Sequence, residues 1–254
     1  MIQLSAVIIT FNEERNIERC LKSLQNVADE IVVIDSFSTD KTQQICEEYN
    51  VVFIQNEFKG HIEQKNFALA KTKFDYILSL DADEALSSEL EQSILKVKSN
   101  WTADTYKMNR LTNYCGDWIK HGSWYPDTKL RLALKSVVKW GGNNPHDKLE
   151  SNSKAAAIHL AGDLLHYSYY TIEEHLTQQE RFSSIAAQAL YNQGKKAPFY
   201  KLILNPAASV IKDIIIRQGF LDGESGFKVA QISAKSVFWK YKKLRDLWKA
   251  DKSN

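Results

Sequence analysis

The sequence predicts an α/β fold: a mainly parallel sheet flanked by helices, followed by a helical C-terminal extension. Three observations lead there. Short apolar runs rich in β-branched residues alternate with amphipathic helical stretches over residues 4–99, which is the pattern of parallel strands joined by right-handed crossovers. Two of those runs end in an aspartate, Asp35 and Asp81, and open α/β sheets bind ligands in the crevice beyond the carboxyl ends of their strands. From Thr171 onward the pattern is helical apart from a Gly-rich break at 219–226.

The elements follow in order. Leu4 to Thr10 reads as a first strand, with Asn12 as a helix cap and Glu13 and Glu14 in the first helical turn, where acidic side chains meet the positive end of the helix dipole. Ile17, Cys20, Leu21 and Leu24 then repeat at helical spacing. Ile31 to Ile34 is a second strand closed by Asp35, and the turn through Asp40, read as a structural cap, leads into a helix to about Glu48. Val51 to Ile54 is a third strand, Ile62 to Ala70 a helix, and Tyr76 to Leu80 the strand that ends in Asp81-Ala82-Asp83. Ser88 with Glu91 reads as a capping box for a helix bearing Leu90, Ile94 and Val97. Residues 105–150 mix short strand patterns with aromatics and Gly and read as a loop-rich half of the same domain. The predicted organisation is a catalytic domain over 1–170, with a ligand-binding half at 1–100 and a second half at 101–170, and a helical extension over 171–254.

Composition narrows the class. With 254 residues, 44% of them hydrophobic, the chain can build one sizeable core or a domain with an appendage. A net charge of +2 does not point to nucleic acid. The three cysteines, Cys20, Cys46 and Cys115, are odd in number and lack Cys-x-x-Cys spacing, so neither a disulfide framework nor a structural zinc site is expected. The first two fall inside helical patterns, as small core residues do. The N-terminus starts directly with a strand pattern, so no leader is expected, and no apolar stretch has the roughly 18 residues of a spanning helix. A cytoplasmic location follows.

Asp81 and Asp83 offer hard oxygen ligands to a divalent cation that can hold phosphates; Glu84 beside them reads as a surface charge. Asp35, at the same rim, is placed to accept from a base N–H or a ribose hydroxyl. Lys65 has two readings, a point charge for a diphosphate or a solvated helix face. Val237, Tyr241, Leu244 and Trp248 form a stripe amid Lys240, Lys242, Lys243, Arg245, Lys249 and Lys252. That basic amphipathic tail suits an anionic membrane surface, or packs on the domain or in an oligomer.

Four motifs in order resemble a known family: Val7 to Glu14, Ile31 to Thr42, Gln64 to Ala68, and Asp81-Ala82-Asp83. They look like family 2 glycosyltransferases of the GT-A fold. Tyr125-Pro126-Asp127, Lys129 to Leu132, Trp140-Gly141-Gly142, His146-Asp147, Gly219 to Gly223 and Trp239 to Lys243 are similar to the branch that builds bacterial lipopolysaccharide or lipooligosaccharide cores with β-1,4-linked glucose. The resemblance implies an inverting, metal-dependent transfer of a hexose, glucose from UDP-glucose being expected, onto a sugar of a lipid-linked inner core at the cytoplasmic face of the inner membrane. It implies Thr10, Asn12, Glu13, Asp35, Lys65 and Asp81 at the nucleotide sugar, and Asp83 with His166 at Mg²⁺ or Mn²⁺, His159 being a weaker rival. For His166 a core role stands as the other reading. Asp147 is implied as the catalytic base, with Glu150 as reserve. The branch usually has His-Glu there, so Asp147 reaches one methylene less far. Trp124, Tyr125, Arg131 and Trp140, with Trp118, are implied at the acceptor, ordinary core packing being the alternative for the tryptophans and the tyrosine. Other UDP-sugars or a protein or polysaccharide acceptor fit the same motifs. An Asp-x-Asp phosphatase fits less well, because Ala85 stands where such enzymes want Thr or Val and the strand is not the first. A scaffold that binds nucleotide without transfer is the non-enzymatic alternative.

Overall fold

The structure, a computed structural model, describes residues 1–143 and 146–251. Asn144, Pro145 and the tail residue Lys252 lie outside the described residues. The chain forms two compact units, Met1–Arg110 with Asp127–Tyr167, and Leu111–Pro126 with Ser168–Asn254.

In chain order the strands are β1 (Leu4–Thr10), β2 (Glu30–Asp35), β3 (Val52–Gln55), β4 (Tyr76–Asp81), β5 (Glu84–Leu86), β6 (Thr105–Tyr114), β7 (Asp117–Ile119), β8 (Asp127–Leu134), β9 (Val138–Asn143), β10 (His146–Ser151) and β11 (Ile158–Tyr169). The helices are α1 (Ile17–Leu24), α2 (Thr42–Glu47), α3 (His61–Ala70), α4 (Ser88–Ser99), α5 (Ile172–Asn192), α6 (Lys201–Ile211) and α7 (Gly223–Asp251).

The first unit is built on a sheet of order β3-β2-β1-β4-β8-β6-β11-β5. Its first four strands pair in parallel, as the alternating pattern requires, while β4–β8, β6–β8 and β11–β5 are antiparallel. The sheet is therefore mixed. The segment 105–150, expected to be loop-rich, carries five strands instead. Period-two alternation is blurred there because β6 slips register between Tyr106 and Lys107, and because β9 and β10 form a separate Gly-containing hairpin. On one face of the sheet the α1 stripe Ile17, Cys20, Leu21 and Leu24 is fully buried with Leu4, Ile8, Leu78 and Leu80. Full burial stabilises by about 1.5–3 kcal/mol per large aliphatic side chain. On the other, Ala68 and Leu69 of α3 meet Val7, Ile34 and Ile77, with Trp140 and Leu149 of the hairpin closing the cluster.

Two caps differ from expectation. Ser87, one residue before Ser88, caps α4 by accepting from the Leu90 N–H at 3.2 Å, since the cap must stand outside the first helical turn. Asn12 caps nothing: α1 starts at Ile17, and Asn12 adopts a positive φ of 54° with its Oδ1 accepting from the Thr39 N–H at 2.8 Å. Asp40 is structural, as expected, accepting from the backbone N–H groups of Thr42 and Glu14.

The second unit has an aromatic centre in which Tyr114, Trp124 and Tyr169 surround the fully buried His175. Thr171 and Glu174 make a complete capping box for α5. The Gly-rich stretch is not a spacer, because α7 begins within it at Gly223 and a Cβ at Gly226 would come 2.0 Å from the Gly219 carbonyl oxygen. Leu244, Tyr241 and Trp248 of the basic tail pack with Ala187, Tyr191 and Ala197, so three of the four apolar stripe residues of α7 have partners within the second unit. Pro206 sits within α6 without ending it.

Candidate active site

The site is assembled at the carboxyl rim of the parallel strands. β1 and β2 end side by side, with Thr10 opposite Asp35, and β4 ends beside β1 with Asp81 opposite Ile9. The loops after β1 and β2 are laced together. The Asn12 N–H donates to Ser38 Oγ at 2.8 Å, and the Ser38 hydroxyl and N–H both donate to the Asp35 carboxylate. Asp35 is fully buried, and the two hydrogen bonds it accepts from Ser38 fix this turn. The Thr10 hydroxyl, buried at the same rim, has no hydrogen-bond partner among the described residues.

Glu13 opens this rim. Burial pushes its carboxyl up to about 7 against a lowering hydrogen bond from Asn16, and the negative charges of Asp83, Asp40 and Asp81 add to the rise.

Lys65 does not lie on a solvated helix face. It is buried, and its ammonium lies 2.7 Å from Asp81 Oδ1 and 2.8 Å from Asp147 Oδ2. The same ammonium sits 4.2 Å from the centre of the Trp140 ring, a favourable place for a desolvated cation. Arg131 holds the other Asp81 oxygen at 3.0 Å and Glu84 at 2.8 Å. Burial alone would raise the Asp81 carboxyl; Lys65 and Arg131 outweigh it and hold the group well below the usual carboxylate range.

Glu84 is not the surface charge that its neighbours suggested. Its side chain is fully buried, takes Arg131 and Arg110 as partners and accepts from the Asp81 N–H at 2.9 Å. Strand β5 turns it inward, beneath the aspartate pair. Arg131 is likewise 3% exposed and committed to Asp81 and Glu84, and Trp140 is 2% exposed in the core of the hairpin. For these two acceptor candidates the structure shows internal positions. Asn66 holds the hairpin: its side chain donates to the Trp140 carbonyl at 2.9 Å and accepts from the Trp140 N–H at 3.0 Å. Asn66 lies in the Gln64 to Ala68 motif, but nothing in its sequence context marks this role.

A model of glycosyl transferase family 2 matches residues 5–153. The chain belongs to this family. An uncharacterized glycosyltransferase of Rickettsia typhi is 33% identical over 258 residues, covering 97% of this chain and 88% of that protein. The lipopolysaccharide core biosynthesis glycosyltransferase LpsC of Rhizobium meliloti is 27% identical over 93% of this chain and 90% of its own length. Among solved structures, that of S. aureus TarS 1-349 in complex with UDP covers 98% of this chain and 92% of that chain at 14% identity and a TM-score of 0.47.

In this family 2 glycosyltransferase the matched region contains the whole constellation from Thr10 to Asp147. His166 lies outside it, on β11, with Nε2 3.1 Å from Asp83 Oδ2. Asp83 and His166 thus stand together as an oxygen and a nitrogen donor. No group of three or more His, Cys, Asp or Glu able to hold a metal occurs among the described residues. His159 is elsewhere, with Nε2 3.0 Å from Asn109 Oδ1, and Glu150 is paired with Lys148 on the outer side of the hairpin. Trp124 belongs to the aromatic centre of the second unit, and Tyr125 is half-buried there.

Proposed function

We propose that the chain is an inverting glycosyltransferase that moves a hexose, glucose from UDP-glucose in the first instance, onto a sugar of a lipid-linked lipopolysaccharide or lipooligosaccharide inner core. The observation that carries this reading is the Lys65 bridge from Asp81, at the end of β4, to Asp147 on the hairpin. It joins a donor-side carboxylate and a candidate base in one rim.

The roles follow from chemistry. Thr10, with its unpartnered buried hydroxyl, and the laced loop of Asn12, Glu13 and Asp35 receive the nucleoside. Asp83 and His166 would hold Mg²⁺ or Mn²⁺, and the cation supplies charge neutralisation at the leaving diphosphate. Lys65 adds a cation beside it. Asp147 takes the proton from the acceptor hydroxyl as that oxygen bonds to the anomeric carbon and UDP departs from the opposite face. The likeness to LpsC, a protein named for lipopolysaccharide core biosynthesis, supports the acceptor class. Such an acceptor is anchored in lipid and is met at the cytoplasmic face of the inner membrane.

The test is UDP release with a panel of UDP-sugars, with and without Mn²⁺ or Mg²⁺, and a core oligosaccharide as acceptor. One sugar should give metal-dependent, acceptor-stimulated turnover. Asp147→Ala should abolish transfer and keep UDP binding; transfer near the wild-type rate would remove Asp147 as the base.

A further inference from the structure

We infer that the exposed apolar face of α6 and of the turn after it is a contact for the surface of an anionic bilayer. Every residue of α6 keeps part of its surface exposed, although the helix is strongly apolar. Ile203, Leu204 and Ile211 are 57%, 59% and 51% exposed, and Ile215 and Ile216, in the π-helical turn Lys212–Ile216, are 64% and 71% exposed. Positions 203, 207, 211 and 215, with 204 and 208, fall at fourfold spacing along one side, and all of them are exposed. Aromatic side chains flank the stripe, Phe199 and Tyr200 before it and Phe220 after it, each about half exposed or more. A contiguous apolar face of this kind on a water-exposed helix marks an interaction site.

Charge selects the occupant. The charged residues of 199–221 are Lys201, Lys212, Asp213 and Arg217. Asp213 is buried and accepts from the Ser123 hydroxyl, so the exposed charges that this segment itself contributes are cations. Lys201 and Lys212 lie about three turns apart on one edge. Anionic headgroups complement that edge, whereas a twofold contact between two copies sets these cations against each other. No helix is long and apolar enough to cross a membrane among the described residues, and an apolar stripe with a basic margin lies in the interface plane. In the tail of α7, Tyr241, Leu244 and Trp248 already pack against α5 and Ala197, so the α6 face is the stronger candidate. The inference rests on the proposed acceptor only for its cellular setting.

The experiment is co-sedimentation of the full chain with phosphatidylcholine vesicles, with and without phosphatidylglycerol, in the absence of UDP-sugar. Binding should require phosphatidylglycerol and weaken as salt rises. Ile203→Glu with Ile211→Glu should weaken it by roughly tenfold or more, with an unchanged melting temperature and unchanged transfer to a delipidated acceptor. Lys240→Glu with Lys249→Glu in the tail should have a smaller effect. Three results would overturn the inference: unchanged binding in the isoleucine pair, loss of binding only in the tail pair, or self-association that the isoleucine pair abolishes while vesicles are ignored. Failure of the vesicle test leaves the donor chemistry standing, and failure of turnover on the delipidated acceptor leaves the membrane face standing.

Discussion

The Lys65 ammonium lies 2.8 Å from Asp147 Oδ2, joining α3 to the hairpin that carries the candidate base. Its second carboxylate, Asp81, is 2.7 Å away, so one buried cation orients both halves of the rim. Lys65→Met keeps the stem and removes the charge, leaving two carboxylates facing each other. The expected result is a rise in donor KM together with a fall in kcat, and a loss of about 3 kcal/mol of stability, the scale for breaking a buried pair. Denaturant unfolding and steady-state kinetics on the same preparation check it. A variant that loses donor affinity alone, with kcat intact, would show that Asp147 does not depend on the bridge.

Glu84 anchors the same network from below. With its side chain fully buried against Arg131 and Arg110, Glu84→Gln preserves shape and removes one carboxylate from each guanidinium. A loss of about 3 kcal/mol is expected, and Asp81, which Arg131 also holds at 3.0 Å, should bind UDP less tightly. Unfolding midpoints and UDP titration measure the two effects separately. Unchanged midpoints would mean that Asp81, with Arg131, and Asp127, 2.8 Å from Arg110, suffice to hold the two arginines.

Asn66 is a positioning residue. Its paired hydrogen bonds to Trp140 tie β9 to α3, and Asp147 pairs with Gly142 on that strand. Asn66→Ala should therefore lower kcat by roughly tenfold while donor KM stays near wild type, since only the placement of the base loosens, and small misplacements of reacting groups are costly. Asn66→Asp, which can still accept from the Trp140 N–H, should recover part of the rate. Equal loss in both variants would argue against a positioning role.

What the sequence could reveal follows from the range of each interaction. Strand ends, helix faces and the aspartates at the rim depend on local periodicity, so Asp35, Asp81 and the stripe from Ile17 to Leu24 were readable in place. Long-range pairing was not. Lys65 and Asp147 are 82 residues apart in the chain, and Arg131 and Glu84 are 47 apart. A charged residue carries no local sign that a partner lies buried beside it. Glu84 next to two exposed-looking aspartates, and Lys65 on a helix, therefore both resemble surface charges. The tail shows the converse: Tyr241, Leu244 and Trp248 have membrane-like spacing, but α5 supplies the apolar partner. The apolar stretch of α6, interrupted by Lys201, Lys212 and Pro206, is the one left uncovered.

The buried His175 and the half-buried Glu13 should shape stability in opposite directions across mildly acidic pH. Burial lowers His175 to about 4 from an ordinary 6.5. Between those values the unfolded chain binds a proton that the folded chain refuses, so stability rises as pH climbs from 4 to 6.5. Glu13 is raised to about 7 from 4.5. Between those values the folded chain holds the extra proton, so stability falls as pH climbs from 4.5 to 7. Each contribution is at most about 3.4 kcal/mol, less for the partly exposed Glu13, and they oppose one another over the shared window. His175→Gln, which can still reach the Tyr114 hydroxyl 3.2 Å away, should leave a protein that loses stability steadily as pH rises from 4.5 to 7. Glu13→Gln should leave one that gains stability from pH 4 to 6.5. Urea midpoints at half-unit steps for wild type and both variants decide the matter. Parallel pH profiles in all three proteins would mean that neither group titrates away from its ordinary range in the folded chain.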